Sequence, residues 1–174
     1  AAAGYVVVVA DVDPDAARSV ASGLGEPHRG ERADVTDEAS VSAVLEGVVA
    51  REGRLDVVVN CAGVSTIGLV TDLAVEEFRR VVDVDLTGGF VVLKHAGRLV
   101  RDGGSIVTIT SLNARQPAAG LGAYCAAKAG LAMLVQVTAL RSSGCLRCSE
   151  FSPVVRAPAT RSPRGARPPM RGMP

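Results

Sequence analysis

The sequence predicts an α/β fold built on a doubly wound parallel sheet. Strand-like and helix-like segments alternate through the first 140 residues, which is the order that parallel sheets require. Hydrophobic residues make up 48% of the 174 residues and aromatic residues only 3%, with valine and alanine prominent. Such a composition suits buried parallel strands that are covered by helices of small residues. It also excludes a disordered chain.

The first two strands and helices are predicted within residues 5–51. The opening run "YVVVVAD" (5–11) is continuously β-branched and ends in an acid, as a buried parallel strand would. Pro14 suits the first turn of a helix, and Asp37 suits the N-cap of a second one. The elements that follow the first strand are therefore a helix over 14–24, a short strand over 31–35 and a helix over 38–51.

The second half of the alternation extends to about residue 152. The stretch "LDVVVNCAG" (55–63) is a buried strand that runs into a glycine turn, and "GGSIVTITS" (103–111) is a third strong strand. The predicted strands lie near 56–60, 104–110 and 146–152, and the predicted helices lie near 74–100 and 123–140. This order predicts right-handed crossovers between parallel strands.

The last part of the chain differs in composition from the rest. From Arg141 onward there are seven arginines and one acid, Glu150. Residues 153–174 are rich in proline, arginine and glycine and show no helical or strand period, so we predict one domain over 1–152 and an irregular tail over 153–174. An arginine-rich end is one route to nucleic-acid binding. Because the tail lacks interleaved aromatic residues, we expect no nucleic-acid partner.

Targeting and metal-binding patterns are weak. No run approaches the roughly 18 apolar residues of a membrane span, and the first residues lack the basic region of a signal peptide. The four cysteines are scattered, which favours a reduced, cytoplasmic protein. The spacing Cys145-x-x-Cys148 is compatible with zinc or a redox pair, but no second pair accompanies it. We therefore expect no metal site and no membrane partner.

The stretch "GAYCAAKAGL" (122–131) carries the residues with the clearest chemistry. Tyr124 and Lys128 are four residues apart, which places them on one face of a helix. A neighbouring ammonium lowers the pKa of a phenol, ordinarily about 10, and makes it a usable general acid or base. A chance pairing of a tyrosine with a surface lysine is the alternative.

Ser111 lies at the end of the third strong strand, thirteen residues before Tyr124. Ligands bind at the carboxyl ends of strands in this architecture, so its hydroxyl is placed to hold a substrate oxygen opposite the phenol. The alternative is that Ser111 caps a helix or turn, which is a common role for serine.

The combination of "ITS", twelve further residues and "YCAAKAGL", after "DVTD" and "NCAG", resembles the short-chain dehydrogenase/reductase family over residues of about 4–158. The resemblance implies a Rossmann-like sheet and hydride transfer between a nicotinamide cofactor and a small alcohol or ketone. It implies that Tyr124 donates or accepts the proton, Lys128 lowers its pKa and binds the nicotinamide ribose, and Ser111 polarises the substrate oxygen. It also implies a homo-oligomer for the full-length protein.

The same resemblance assigns the cofactor-binding positions. Asp11 stands where the family places an acid on the adenine ribose, and its charge would repel a 2′-phosphate, so NAD is favoured over NADP. A helix-capping role is the alternative for an acid here, although it fits Asp13 better than Asp11. The other cofactor-binding positions that the resemblance implies are Asp34, Val35, Asn60, Ala62, Gly63, Tyr124, Lys128 and Pro153.

Several family features are changed or missing in this sequence. The strand and Gly-x-x-x-Gly-x-Gly turn that hold the pyrophosphate are absent, and the tail has no counterpart of the substrate lid or last strand. Asp85 replaces a catalytic-site asparagine, and Cys61 replaces another asparagine. We therefore expect the 174 residues alone to bind NAD weakly and turn over little. A truncated, catalytically inactive relative is the second hypothesis.

Overall fold

The computed structural model describes residues 4–141 and 147–151 as an α/β structure. Its strands are β1 (Val8–Asp11), β2 (Arg29–Arg32), β3 (Val57–Asn60), β4 (Ser105–Ile109) and β5 (Arg147–Phe151). Its helices are α1 (Pro14–Leu24), α2 (Glu38–Glu52), α3 (Val75–Val82), α4 (Gly88–Leu99) and α5 (Gly122–Arg141), with a π-helical turn at Asp83–Thr87 and a 3₁₀ turn at Leu112–Ala114. The predicted tail over 153–174 lies outside the described residues.

All strand pairs among the described residues are parallel, which confirms the predicted fold class. β1 pairs with β2, with Val8 opposite Arg29. β3, β4 and β5 form a second sheet, in which Ser105 lies opposite Val57 on one side and Arg147 on the other. Within the described residues β1 and β3 are not hydrogen-bonded to each other, so the predicted single sheet is divided into two.

Two helices hold the sheets together. Val41 of α2 and Val91 and Val92 of α4 form one buried cluster, and Val58 of β3 packs against it. Val35, which follows β2, packs against the same cluster. The carboxyl end of the first sheet is therefore joined to the second by apolar packing rather than by backbone pairing.

The larger sheet is well covered on one face. Ile106 of β4 packs in a buried cluster with Leu131 and Val135 of α5. On the opposite face Val57 and Val59 are 40% and 55% exposed. Since adjacent strand residues point to opposite faces, the described residues supply a helical cover for one face of this sheet only.

Two strands begin two or more residues away from the predicted start, and the other three begin one residue later than predicted. β1 begins at Val8 rather than at residue 5, and β2 begins at Arg29 rather than at 31, because ladder pairing with β1 fixes its start. β2 also ends early, because the Asp34 side chain accepts hydrogen bonds from the backbone and hydroxyl of Thr36 and turns the chain. The helix-start predictions are confirmed, with Pro14 in the first turn of α1 and Asp37 as the N-cap of α2.

The predicted helix over 74–100 is interrupted by the π-helical turn at Asp83–Thr87. A π turn adds a residue to one turn and rotates the following side chains about the axis. Here it buries Asp85, which is 1% exposed, while Asp83 in the same turn stays exposed. An apolar pattern that continues across the turn gives no sign of this rotation.

α5 is the one helix in the described part of the chain that is long and apolar enough, by length and composition, to cross a membrane. Its buried residues Ala127, Leu131 and Val135 pack inside the structure. A core helix meets the same criteria of length and composition.

A surface ion cluster provides a prediction about acid stability. The Glu38 carboxylate accepts hydrogen bonds from Lys94 Nζ at 2.6 Å and lies 2.9 Å from His95 Nε2, which joins α2 to α4. These two hydrogen bonds lower the pKa of Glu38 from 4.5 to about 2, and the bond with Lys94 has the larger effect. Because the folded-state pKa is the lower one, the stabilisation is complete above pH 4.5 and is lost as the pH falls through about 2.

We expect Glu38→Gln to lower the melting temperature above pH 4.5 and to leave it unchanged near pH 2. Circular dichroism melts of both proteins across this range measure the difference. Glu46→Gln is the matched control, because Glu46 is exposed on the same helix and contacts Ser42. A difference in melting temperature between Glu38→Gln and the parent that stays the same near pH 2 would show that the Glu38 ion cluster does not cause it.

Candidate active site

α5 places Tyr124 and Lys128 side by side. The Lys128 ammonium lies 5.6 Å from the centroid of the Tyr124 ring. The alanines around them allow close packing, since Ala123 and Ala127 are buried against Val81 of α3. The small residues of α5 therefore bring a phenol and an ammonium into the region where α3, α5 and the π-helical turn meet.

The carboxylate of Asp85 completes this group. Asp85 Oδ2 lies 3.1 Å from Lys128 Nζ, and the two side chains are 0% and 4% exposed. Oδ2 accepts no hydrogen bond from any described residue, so this contact is an ion pair without hydrogen-bond alignment. Oδ1 accepts the backbone N–H of Val64 at 2.7 Å, which fixes the loop after β3 to the π-helical turn.

Gly63 lies directly against this ion pair. A Cβ atom on Gly63 would lie 2.9 Å from Lys128 Nζ and 3.3 Å from Asp85 Oδ2. A side chain here would displace the ammonium or the carboxylate. The close approach of the loop to the ion pair therefore favours glycine at this position.

Asn60 shapes the start of the same loop. It is the last residue of β3, is 6% exposed, and accepts the backbone N–H of Ala62 at 3.2 Å through Oδ1. This bond turns the chain directly after the strand. Cys61, between them, is exposed as a free thiol.

Ser111 caps the 3₁₀ turn that follows β4. Its Oγ accepts the backbone N–H of Asn113 at 3.1 Å and lies 3.4 Å from the Asn113 Oδ1. The capping alternative is therefore observed. Among the described residues Ser111 makes no hydrogen bond to Tyr124, and its role toward a substrate oxygen stays a prediction.

Asp11 and Asp13 have different roles at the end of β1. Asp13 is the N-cap of α1 and accepts the backbone N–H groups of Asp15 and Ala16. Asp11 is the last residue of β1, and its exposed carboxylate accepts only the Asp13 N–H through Oδ1 within the described structure. The capping function therefore belongs to Asp13, as expected, and the carboxylate of Asp11 is accessible.

Asp34 and Val35 follow β2. The hydrogen bonds from the hydroxyl and then the backbone of Thr36 lower the pKa of Asp34, so its carboxylate is charged at neutral pH. Val35 packs against α4 so closely that a Cβ on Gly88 would lie 2.7 Å from its Cγ2. The loop that contains Asp34 and Val35 is thereby held at the carboxyl end of the first sheet.

Two predicted residues cannot be placed, and one cavity lies apart from the Tyr124–Lys128–Asp85 group. Pro153 and Cys145 lie outside the described residues. A surface cavity of about 620 Å³ is lined by Thr36, Glu76, Arg79, Arg80, Asp83, Val84 and Thr87. It includes neither Tyr124 nor Lys128, so the chemistry and the cavity are separate features.

Sequence reasoning missed two contributors to the site. The backbone N–H of Val64 holds the Asp85 carboxylate in place. Arg80 of α3 is also near Asp85, and the negative charge of Asp85 raises the pKa of Arg80, although Glu77 has the larger effect on it. Neither belongs to the motifs quoted above. The only sequence feature that pointed to this contact was the glycine turn after β3, since it directly precedes Val64.

Comparison with known proteins gives consistent matches. A sequence profile described as enoyl-(acyl carrier protein) reductase matches residues 1–154. The trans-4-hydroxycyclohexanecarboxylate dehydrogenase of Sinomonas cyclohexanicum is 38% identical over 150 residues, covering 80% of this chain and 58% of that protein. The D-threitol dehydrogenase of Mycolicibacterium smegmatis is 32% identical over 158 residues, covering 87% of this chain and 61% of that protein.

A solved structure agrees with the sequence matches. A short-chain type dehydrogenase/reductase from Mycobacterium ulcerans has a TM-score of 0.82 and 33% identity, covering 87% of this chain and 58% of that one. The chain thus spans 58–61% of the length of these relatives.

Proposed function

The chain belongs to the short-chain dehydrogenase/reductase family, and on that premise we propose that it carries the chemical half of an NAD-dependent alcohol dehydrogenase site. The observation that supports the proposal best is the Tyr124–Lys128 pair on α5, with the ammonium 5.6 Å from the phenol ring. The substrate class we propose is a small secondary alcohol or its ketone. Two relatives are named as dehydrogenases of trans-4-hydroxycyclohexanecarboxylate and of D-threitol, and both compounds carry alcohol groups.

The proposed reaction assigns one proton to Tyr124. In the oxidation direction the alcohol O–H gives its proton to the phenolate oxygen while the carbinol C–H electron pair leaves as hydride, so that C=O forms. In the reduction direction the phenol returns the proton to the carbonyl oxygen. NAD, when bound, accepts or returns the hydride. Ser111, at the carboxyl end of β4, is proposed to hold the reacting oxygen through its hydroxyl.

The residues present fit part of a nicotinamide dinucleotide. The exposed carboxylate of Asp11 is a suitable acceptor for two ribose hydroxyls, and the buried Asn60 turn places small residues beside the site. The 174 residues contain no Gly-x-x-x-Gly-x-Gly turn to hold a pyrophosphate. The proposal therefore assigns the ribose and nicotinamide ends of the cofactor to this chain, without a pyrophosphate cradle.

The test uses the 174-residue chain beside an extended chain. The extension is the segment of the D-threitol dehydrogenase relative that precedes its matched region, fused before Ala1. We expect the extended chain to bind NAD in calorimetry and to reduce it with members of a panel of secondary alcohols. We expect the 174-residue chain alone to do so weakly, since a loosely held cofactor loses the advantage of proximity. If the extended chain folds but neither binds NAD nor turns over, the proposal is wrong.

Asp11 provides a prediction about cofactor preference in the extended chain. Asp11→Asn keeps an oxygen for the Asp13 N–H but removes the negative charge that opposes a 2′-phosphate. We expect the ratio of kcat/KM for NAD over NADP to fall roughly tenfold or more. Asp15→Asn is the control, because Asp15 is an exposed acid in the first turn of α1 that pairs with Arg18. An unchanged ratio in Asp11→Asn would remove this residue from cofactor selection.

A further inference from the structure

The ion pair between Asp85 and Lys128 has an electrostatic consequence for Tyr124. Both side chains are almost fully removed from water, at 0% and 4% exposure. In such surroundings charges interact more strongly than at the surface, because little solvent screens them. The net charge of the group therefore decides the potential at the phenol.

The geometry makes that net charge close to zero. The opposite charges of Asp85 and Lys128 are 3.1 Å apart, which is shorter than the 5.6 Å from the ammonium to the Tyr124 ring. Seen from the phenol, the ammonium acts as one end of a dipole rather than as an isolated positive charge. An isolated ammonium would favour the phenolate, and a neutral pair favours it much less.

We propose that Asp85 is a positioning residue that holds Lys128 in a neutral pair and so weakens the preference that the ammonium gives to the phenolate form of Tyr124. This inference rests on the proposed function, since it assigns a direction to the same site. Compared with a site that has an uncharged residue at position 85, it favours carbonyl reduction over alcohol oxidation.

A further charged group near Asp85 belongs to α3. Arg80 is close enough for Asp85 to raise its pKa, but its guanidinium pairs first with Glu77 at 3.0 Å. That second pair is also close to neutral. The Val64 N–H on Oδ1 adds a fixed dipole that holds the carboxylate in place.

The chain is suited to a direct optical test. It has two tyrosines and no tryptophan, so Tyr5→Phe leaves Tyr124 as the only phenol. Tyr5 is 51% exposed and lies outside the site. The near-ultraviolet absorbance of tyrosinate then reports the ionisation of Tyr124 alone, with no need for cofactor, substrate or turnover.

The experiment titrates the Tyr5→Phe chain, and the same chain with Asp85→Asn, from neutral to alkaline pH, with circular dichroism at each point to confirm folding. Asparagine keeps an oxygen for the Val64 N–H and removes the charge. We expect the tyrosinate band to rise at a pH lower by about one unit in Asp85→Asn. Asp83→Asn, a change in the exposed acid of the same turn, is expected to leave the rise in place.

A double variant keeps the test decisive if Asp85→Asn does not fold. Asp85→Asn with Lys128→Met removes both charges, so it is neutral like the parent, and we expect its rise within about half a pH unit of the parent. The inference would be overturned if the tyrosinate band of the parent rose a full pH unit below that of the double variant. It would also be overturned if the band of folded Asp85→Asn rose at the same pH as that of the parent. Either result leaves the proposed function standing, because turnover of the extended chain is measured separately.

Discussion

Tyr124→Phe in the extended chain is expected to lower kcat for alcohol oxidation by about 10²–10⁴-fold, which is the usual contribution of a positioned general acid or base. Phenylalanine keeps the ring beneath the Lys128 ammonium and removes only the hydroxyl. NAD affinity measured by calorimetry is expected to change little. The loss should therefore appear in turnover rather than in folding or binding.

The matched control for this change is Tyr5→Phe, which removes the other phenol of the chain from an exposed position. Steady-state reduction of NAD with the same secondary alcohol measures both variants. Turnover by Tyr124→Phe equal to that of Tyr5→Phe would show that another group transfers the proton. It would leave the family assignment intact, since that rests on the sequence and structure matches.

Lys128→Met is expected to lower the free energy of unfolding by about 3–5 kcal/mol, because it leaves the charge of Asp85 buried without a partner. Asp85 is 0% exposed in this contact, so little solvent screens its charge. Urea unfolding of the 174-residue chain, followed by circular dichroism, measures the change. The double variant Asp85→Asn with Lys128→Met should recover most of the loss, since it buries no charge.

Lys94→Met is the control for that measurement. Lys94 also pairs with a carboxylate, that of Glu38, but the two side chains are 32% and 52% exposed. Surface pairs of this kind contribute little to stability, because solvent screens the two charges. If Lys128→Met lowers the free energy of unfolding no more than Lys94→Met does, the buried ion pair does not stabilise the fold as proposed.

The alternation of strands and helices along the chain, and the helix starts, could be predicted from the sequence. The valine runs of β1 and β3 could be assigned because buried parallel strands need no polar alternation. Pro14 and Asp37 marked helix starts by chemistry that acts locally. The start of β2 was misplaced because it depends on pairing with β1, which is not a local property.

The site was only partly accessible to the same reasoning. The spacing of Tyr124 and Lys128 predicted that they share a helix face, and they do. The partner of Lys128 was not predictable, because the π-helical turn that buries Asp85 has no local sequence sign and the contact spans 43 positions from Asp85 to Lys128. The division of the sheet between β1 and β3 likewise reflects pairing across the fold rather than the composition of either strand.

The most direct test of the central claim, that this chain carries hydride-transfer chemistry with Tyr124 as the proton-transferring group, is an isotope experiment. A secondary alcohol that the extended chain accepts is supplied with deuterium on its carbinol carbon, and the reduced NAD is examined by mass spectrometry. We expect one deuterium in each reduced NAD, and we expect formation of that product to be nearly abolished in Tyr124→Phe. Reduced NAD without deuterium, or labelled product formed equally well by Tyr124→Phe, would contradict it.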